Sequence, residues 1–100
     1  MMADSGIEED NKTVSISNAS NVSGIASRLG ELIENIGGTV IAVKSAPQTS
    51  NKTKLIYYGE RTYTVQKLEK LLKVTGEMKE GKGLSDIEII LGTDQGNGGV

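Results

Sequence analysis

Apolar side chains recur along this chain at two different periods, and each period predicts a different element. Val14 and Ile16 alternate with Ser15 and Ser17, which is typical of a half-buried strand over residues 13–17. Residues 22–36 instead carry apolar side chains at steps of three and four, which predicts one amphipathic helix that ends at a Gly-Gly pair. This helical stripe consists of Val22, Ile25, Ala26, Leu29, Leu32, Ile33 and Ile36.

The second half of the chain predicts three further strands and one further helix. The strands are expected over residues 39–43, 53–58 and 86–91, from their β-branched and alternating apolar residues. The helix is expected to start at Thr64 as N-cap, with Tyr63 packing on Leu68 as a hydrophobic staple, and to close at Gly76. Its apolar stripe consists of Val65, Leu68, Leu71 and Leu72.

The order βαββαβ favours an α+β fold made of two layers. Both helices have one apolar face, and one face of a four-stranded sheet can cover both of them. We therefore predict a ferredoxin-like sandwich with two helices on one face. The domain is expected over residues 13–94, between disordered tails at residues 1–12 and 95–100, which are polar or Gly-rich.

The sheet face without helices is expected to be open. Ser15 and Ser17 suit water there, whereas Ile90 does not. The second apolar row of residues 39–43 does not suit water either. This row consists of Ile41 and Val43 or of Val40 and Ala42. Such a face is compatible with a docking or dimer surface, or with cover by a loop or a tail.

Composition excludes most catalytic classes. The chain has no Cys and no His, which removes thiol nucleophiles, imidazole bases, zinc fingers and Ser-His triads. Acid–base catalysis would need carboxylates alone, and Glu31 with Glu34, which share a helix face, are more typical of a solvated flank. We predict no catalytic residue, no metal ligand and no cofactor. No segment resembles an export signal or a membrane span.

Charge is uneven along the chain although its formal net value is −2. Residues 44–82 hold nine basic and four acidic side chains, an excess of five. Such a segment can attract an anionic polymer, or it can be a solvated surface. The candidate polyanion-binding residues are Lys52, Lys54, Lys67 and Lys70.

The turn between the first strand and the first helix is the other candidate site. Free backbone N–H groups at a helix N-terminus suit an anion or a polar partner, whereas the general preference of Asn and Ser for capping favours a purely structural role. The candidate ligand-binding residues are Asn18, Ser20, Asn21, Ser23 and Gly24.

The same turn carries a family resemblance. Members of the LytR C-terminal domain family have a strand, then Asn-Gly-(x)-Gly-Val-x-Gly-x-Ala, then a helix. This chain resembles them in three parts of the sequence. The matching residues are Val14–Asn18, Val22–Ala26, Leu32, Gly38 and Val40, then Thr53, Leu55 and Tyr57, then Ser85–Ile87, Ile89, Leu91, Gly92 and Asp94. Asn21 stands where the family often has Gly, and Asn tolerates left-handed backbone geometry.

The resemblance implies an extracytoplasmic accessory module of Gram-positive cell-envelope proteins. Such modules often follow a transmembrane anchor and a domain that transfers anionic glycopolymers, such as teichoic acid, onto peptidoglycan. These residues carry no such catalytic domain, so the implied role is a non-catalytic accessory one: to position an anionic wall glycopolymer or peptidoglycan, or to contact an envelope protein. A protein-docking or dimerisation domain without glycan binding is the alternative, and the oligomeric state stays open. Nucleic acid is not an expected partner, because the strands lack the aromatic motifs of RNA-binding sheets.

Overall fold

The computed structural model of the chain describes residues 5–98 as four helices and five strands. The strands are β1 (Thr13–Asn18), β2 (Thr39–Ser45), β3 (Lys54–Tyr58), β4 (Glu77–Lys79) and β5 (Ile87–Leu91). The helices are α1 (Ser5–Asp10), α2 (Ile25–Asn35), α3 (Tyr63–Leu72) and α4 (Thr93–Gly98). The class is therefore α+β, as the spacing of apolar residues predicts.

The five strands form one mixed sheet in the order β2-β1-β5-β3-β4. Strand β1 runs parallel to both β2 and β5, while β3 runs antiparallel to β5 and parallel to β4. The predicted four-stranded ferredoxin-like layout is not confirmed. A split βαβ unit separates its two parallel strands by another strand, whereas α2 here returns the chain directly beside β1. The fifth strand, β4, comes from a three-residue run that has no apolar alternation.

Helices α2 and α3 pack on the same face of the sheet. Their buried side chains join a single cluster with alternate residues of the three central strands, because successive strand residues point to opposite faces. The strand members of this cluster are Val14, Ile16, Leu55, Tyr57, Ile87, Ile89 and Leu91. Fully burying one such aliphatic side chain contributes about 1.5–3 kcal/mol, so this face provides most of the driving force for folding.

Strand β2 contains a bulge that its continuous apolar run conceals. Val14 pairs with Val40, but Ser15 pairs with Ala42, so Ile41 has no partner on β1. Val40 and Val43 therefore both face α2, with methyl groups 3.8 and 3.4 Å from the Cβ position of Gly30. The prediction that either Ile41 and Val43 or Val40 and Ala42 lie together on the open sheet face is therefore wrong. Ile41 remains 48% exposed because the sheet ends at β2.

The sheet face without helices is partly covered by the loop before β5. Ser15, which the sequence analysis assigns to water, is instead buried, and its Oγ lies 2.8 Å from the Oγ of Ser85. Ser85 Oγ also donates a hydrogen bond to the carbonyl of Ile87 at 2.6 Å. Gly83 of the same loop lies against the ring of Tyr58. The loop therefore replaces water over this part of the sheet.

Both predicted tails contain helices in the structure. Helix α1 buries Ile7, and the Asp10 carboxylate accepts hydrogen bonds from the N–H and the hydroxyl of Thr64 at 2.7 and 2.8 Å. The Asp10 carboxylate and the close approach of Gly6 to the Tyr63 ring thus hold residues 5–10 on α3, where disorder was expected. Helix α4 extends into the predicted C-terminal tail. Residues 1–4 and 99–100 of the two predicted tails lie outside the described residues.

Helix α3 begins and ends a few residues earlier than the sequence predicts. Its N-cap is Thr62, whose hydroxyl accepts a hydrogen bond from Val65 N, so Thr64 lies inside the helix and Tyr63 is its first residue. The helix ends when Lys73 adopts a left-handed conformation at φ 58°, before Gly76 is reached. Two neighbouring threonines made the cap ambiguous in the sequence.

Candidate functional site

The three parallel strands β2, β1 and β5 end at one edge of the sheet. Ser45, Asn18 and Leu91 are in register there, and each strand continues into a loop. The loops that follow neighbouring parallel strands emerge at the same edge, so they can line a common cleft there. This edge also carries the turn that the sequence analysis singles out.

Two of the predicted ligand-binding side chains, Asn18 and Ser20, are used to build the turn itself. Asn18 Oδ1 accepts hydrogen bonds from Ser20 N at 3.0 Å and from Ser20 Oγ at 2.5 Å, and Asn18 Nδ2 donates to the carbonyl of Val22 at 2.8 Å. Ser20 Oγ in turn accepts from Val22 N at 3.1 Å. Ser20 is only 3% exposed. These side chains position the turn rather than contact a ligand.

Side-chain capping of α2, the favoured structural interpretation of this turn, is wrong. The N-cap residue is Gly24, at φ 83°, and it carries no side-chain cap hydrogen bond. Left-handed backbone at this position requires glycine or a tolerant residue such as Asn. Asn21 is also left-handed, at φ 66°, as its expected tolerance allows. Two left-handed residues thus reverse the chain between β1 and α2.

A cleft of about 400 Å³ opens beside this turn, and we call it the carboxyl-edge cleft. The turn forms one wall, and the loop that follows β2 forms the other. Its lining residues are Asn18, Ala19, Asn21, Val22, Ser23, Ser45, Ala46, Pro47, Gln48 and Thr49. A second cavity of about 280 Å³ lies next to it, between the first turn of α2 and the end of β2.

Four of the polar side chains in the carboxyl-edge cleft are available to a ligand. Asn21, Ser23, Gln48 and Thr49 are all exposed, and their side chains form no hydrogen bond within the described part of the chain. Amides and hydroxyls each offer both donors and acceptors. Of the five predicted turn residues, Asn21 and Ser23 are therefore the two whose side chains are free to contact a ligand, and Gly24 shapes the start of α2.

Backbone hydrogen bonds hold the walls of the cleft in place. Ala46 N donates to the carbonyl of Asn18 at 3.0 Å, and Ser50 N donates to the carbonyl of Ala19 at 2.9 Å. Ala19 N donates in turn to the carbonyl of Leu91, at 2.8 Å. The two walls are thus joined to each other and to β5, so the cleft is formed before any ligand arrives.

A carboxylate fixes the far end of the second wall. Asp94 accepts hydrogen bonds from Thr53 N and from Thr53 Oγ1, the latter at 2.8 Å, while Gly92 N donates to Thr53 Oγ1 at 3.0 Å. Partial burial raises the pKa of Asp94, but the hydrogen bonds from Thr53 outweigh it and leave the pKa below its usual value. The start of β3 is therefore tied to the end of β5 by an ionised group.

The structure does not bring the four candidate lysines together. Lys54 lies on the sheet face away from the helices, because its neighbour Leu55 belongs to the core cluster. Lys67 and Lys70 lie on α3 in the helical layer, and Lys67 Nζ stands 5.2 Å from the centroid of the Tyr63 ring. Lys52 lies in the loop before β3. None of the four lines the carboxyl-edge cleft.

Among the described residues, the ion pair between Arg61 and Glu69 is structural. The Arg61 guanidinium contacts the buried Glu69, which also accepts a hydrogen bond from Gly76 N at 2.6 Å. Burial raises the pKa of Glu69, but these donors outweigh it and hold the pKa below its usual value. This carboxylate ties α3 to the chain that follows it and is therefore engaged already.

Two further searches of the described residues were negative. Within residues 5–98, no group of three or more acidic side chains is arranged to hold a metal ion. Over the same residues, no helix combines the length and the apolar character needed to cross a bilayer.

Sequence reasoning missed the second wall of the cleft. Ser45, Gln48 and Thr49 lie between the second and third predicted strands, in a segment around the chain's single proline for which the sequence analysis names no candidate site residue. The position of this wall follows from the strand order, because loops that follow neighbouring parallel strands emerge at the same edge of the sheet. The expected ferredoxin-like order did not place β2 beside β1, so the sequence analysis did not bring the two loops together.

Comparison with known proteins supports the family resemblance. Residues 11–94 match the family described as LytR cell envelope-related transcriptional attenuator. No curated protein and no solved structure matches the chain at a significant level. The match covers the whole sheet together with α2 and α3, and it begins just after α1. The chain therefore belongs to this LytR C-terminal family of cell-envelope proteins.

Proposed function

We propose that this domain is a non-catalytic accessory module that positions a cell-wall glycopolymer for the envelope protein to which it belongs. The observation that carries the proposal is the carboxyl-edge cleft, a preformed polar depression beside the carboxyl ends of the parallel strands β1 and β2. Because the chain belongs to a family of cell-envelope proteins, we infer that the polymer is a cell-wall glycopolymer.

The chemistry of the described residues favours binding over catalysis. General acid–base catalysis needs a titratable group with a suitable pKa in the site, and no ionisable side chain lines the cleft. The carboxylates with altered pKa values are Asp10, Glu69, Asp86 and Asp94, and each has a lowered pKa because it accepts structural hydrogen bonds. These groups therefore serve the fold.

Co-sedimentation with insoluble cell-wall material tests the proposal. We expect the domain to pellet with purified walls, both before and after their anionic polymers are extracted. Asn18→Ala removes the side chain that organises the first wall of the cleft, so it should reduce the pelleted fraction at least threefold. Asn35→Ala, on the exposed end of α2, is the matched control and should pellet like the parent domain.

Circular dichroism of both variants separates a local effect from loss of fold. A domain that stays in the supernatant with every wall preparation contradicts the proposal. Equal pelleting of the parent and of a folded Asn18→Ala variant places the contact elsewhere on the domain and contradicts the role of the cleft.

Protein docking through the edge strand β2 is a second candidate, favoured by a different observation. β2 ends the sheet, and Ile41 and Val43 are 48% and 43% exposed on it. An open edge strand can pair with another chain. Light scattering across a range of protein concentrations tests the dimer form: a mass that rises to twice that of the monomer, and returns to it in Ile41→Lys, supports docking between two copies.

A further inference from the structure

The lining of the carboxyl-edge cleft is polar but carries no charge. None of its lining residues is Asp, Glu, Lys, Arg or His, although these types make up about a quarter of the chain. The four candidate lysines lie on other surfaces, as described above, and Lys44 lines the neighbouring second cavity rather than this cleft. A site for a phosphate-rich polymer is typically lined by Arg or Lys, so this lining argues for a different part of the wall.

Four side chains define what the cleft can recognise. Asn21 and Gln48 present carboxamides, and Ser23 and Thr49 present hydroxyls, all without a partner inside the described part of the chain. A ligand that matches them must itself carry both donors and acceptors at short intervals. Sugar hydroxyls and acetamido groups have this property, whereas a phosphodiester offers acceptors only.

A peptide ligand matches the lining less well. Peptide sites typically use a charged group for a terminus, an apolar pocket for a side chain, or a strand edge for the backbone. The apolar lining here consists of Ala19, Val22, Ala46 and Pro47, which are small and offer no deep pocket. A volume of about 400 Å³ is near the lower end of the range for small-molecule sites, about 300–1,000 Å³.

We propose that the carboxyl-edge cleft binds a short uncharged oligosaccharide that carries hydroxyl and acetamido groups. This inference rests on the proposed function and names the part of the wall polymer that the cleft contacts. The lining contains no aromatic ring, so binding depends on hydrogen bonds that compete with water. The expected dissociation constant is therefore about 1 mM, or about −4 kcal/mol, and it is insensitive to salt.

Titration of the ¹⁵N-labelled domain with N-acetylglucosamine tetramer, followed by NMR, tests the inference. We expect saturable shifts of backbone amides in residues 18–23 and 45–49, with the same affinity at low and at high salt. A parallel titration with glycerol-phosphate polymer should give no shifts in those residues.

The chain offers a closely matched pair of variants. Asn21 and Asn11 are both exposed and both left-handed, at φ 66° and 51°, so Gly replaces either without backbone strain. Asn21→Gly removes a proposed ligand contact and should weaken tetramer binding at least threefold. Asn11→Gly lies outside the cleft and should bind like the parent domain.

The remaining outcomes separate this inference from the proposed function. If the glycerol-phosphate polymer causes salt-sensitive shifts at the lysines and the tetramer causes none, this inference is overturned. The proposed function, a wall-binding module, then still stands. Shifts only with a peptide from the wall cross-links overturn the inference as well. Equal tetramer affinity in Asn21→Gly and the parent rules out this contact, and a domain that binds neither polymer nor whole walls contradicts both proposals.

Discussion

Asp86 and Thr13 form a reciprocal clamp between the starts of β5 and β1, which are 73 residues apart. Asp86 Oδ2 accepts hydrogen bonds from Thr13 N at 3.0 Å and from Thr13 Oγ1 at 3.1 Å, and Asp86 N donates to Thr13 Oγ1 at 3.0 Å. The same arrangement, a Thr N–H and hydroxyl on one Asp carboxylate, joins Thr53 to Asp94 and Thr64 to Asp10. One pairing thus fastens three separate parts of the fold.

Breaking the Asp86–Thr13 clamp should destabilise the domain as a unit. We expect Asp86→Ala to lower the free energy of unfolding by about 1–3 kcal/mol, since it removes charge-assisted hydrogen bonds from a partly buried site. Thr13→Val keeps the side-chain shape but loses the hydroxyl, and the double variant should cost less than the sum of the two single ones. Urea unfolding measures all three, and strictly additive effects would show that the two residues act independently.

The three Thr–Asp clamps predict that the folded domain loses stability in acid. Hydrogen bonds from Thr64 and Thr13 hold the pKa values of Asp10 and Asp86 below the usual 3.8. The unfolded chain then binds protons that the folded chain does not, so this stability is complete above the usual carboxylate pKa and is lost as pH falls through the folded values. We expect the urea midpoint to be flat near neutral pH and to fall below about pH 5.

An Asp86→Asn/Asp94→Asn variant provides the control for that titration. It lacks two of the ionisable clamps, so its midpoint should be lower at neutral pH and should fall less steeply in acid. A parent domain whose stability stays constant or increases between pH 5 and pH 3 would contradict the assignment of these carboxylates to the fold.

Two glycines should respond very differently to alanine. A Cβ at Gly92 would lie 2.4 Å from the Lys52 carbonyl carbon, so backbone would have to move. A Cβ at Gly24 meets nothing within 4 Å, and only its left-handed φ of 83° is unfavourable. We expect Gly24→Ala to cost about 1–2 kcal/mol and Gly92→Ala to cost clearly more or to prevent folding. Thermal unfolding checks the order, and equal costs would contradict the close approach at Gly92.

When its contact with α3 is broken by substitution of Asp10, helix α1 should detach from α3 while the sheet stays folded. Asp10→Ala removes the carboxylate that holds Thr64 N, so hydrogen exchange at the Thr64 amide should accelerate while exchange in β1 and β5 stays unchanged. Glu9→Ala, an exposed acid of the same helix, is the control and should leave the Thr64 amide protected. Faster exchange throughout the core would show instead that α1 is an integral part of the domain.

The spacing of apolar residues predicted the helices and strands that line the core, because burial on one face imposes that spacing directly, but it did not predict α1, β4 or α4. Val14 with Ile16 and Leu29 with Ile33 follow the periods of a strand and a helix, and all four are fully buried. The spacing could not predict strand neighbours, since any order that covers the helices satisfies it. The bulge at Ile41 was hidden for a related reason: a continuous apolar run carries no mark of which residue is unpaired.

The sequence singled out the turn that forms one wall of the cleft, but it did not divide the roles of its residues as the structure does. Asn and Ser are equally suited to bonding a ligand and to bonding neighbouring backbone, so the sequence did not show that Asn18 and Ser20 face inward. The hydrogen bonds of an Asn side chain depend on the loop around it. The second wall, with Gln48, required knowledge that β2 lies beside β1.

The separation of these roles makes the turn and its facing loop suitable for protein engineering. Asn18 and Ser20 keep the frame, whereas Asn21, Ser23, Gln48 and Thr49 project from it without internal hydrogen bonds in the described part of the chain. A display library randomised at those four outer positions would diversify the surface while sparing every buried residue. New specificities could then be selected from a compact scaffold that contains no cysteine.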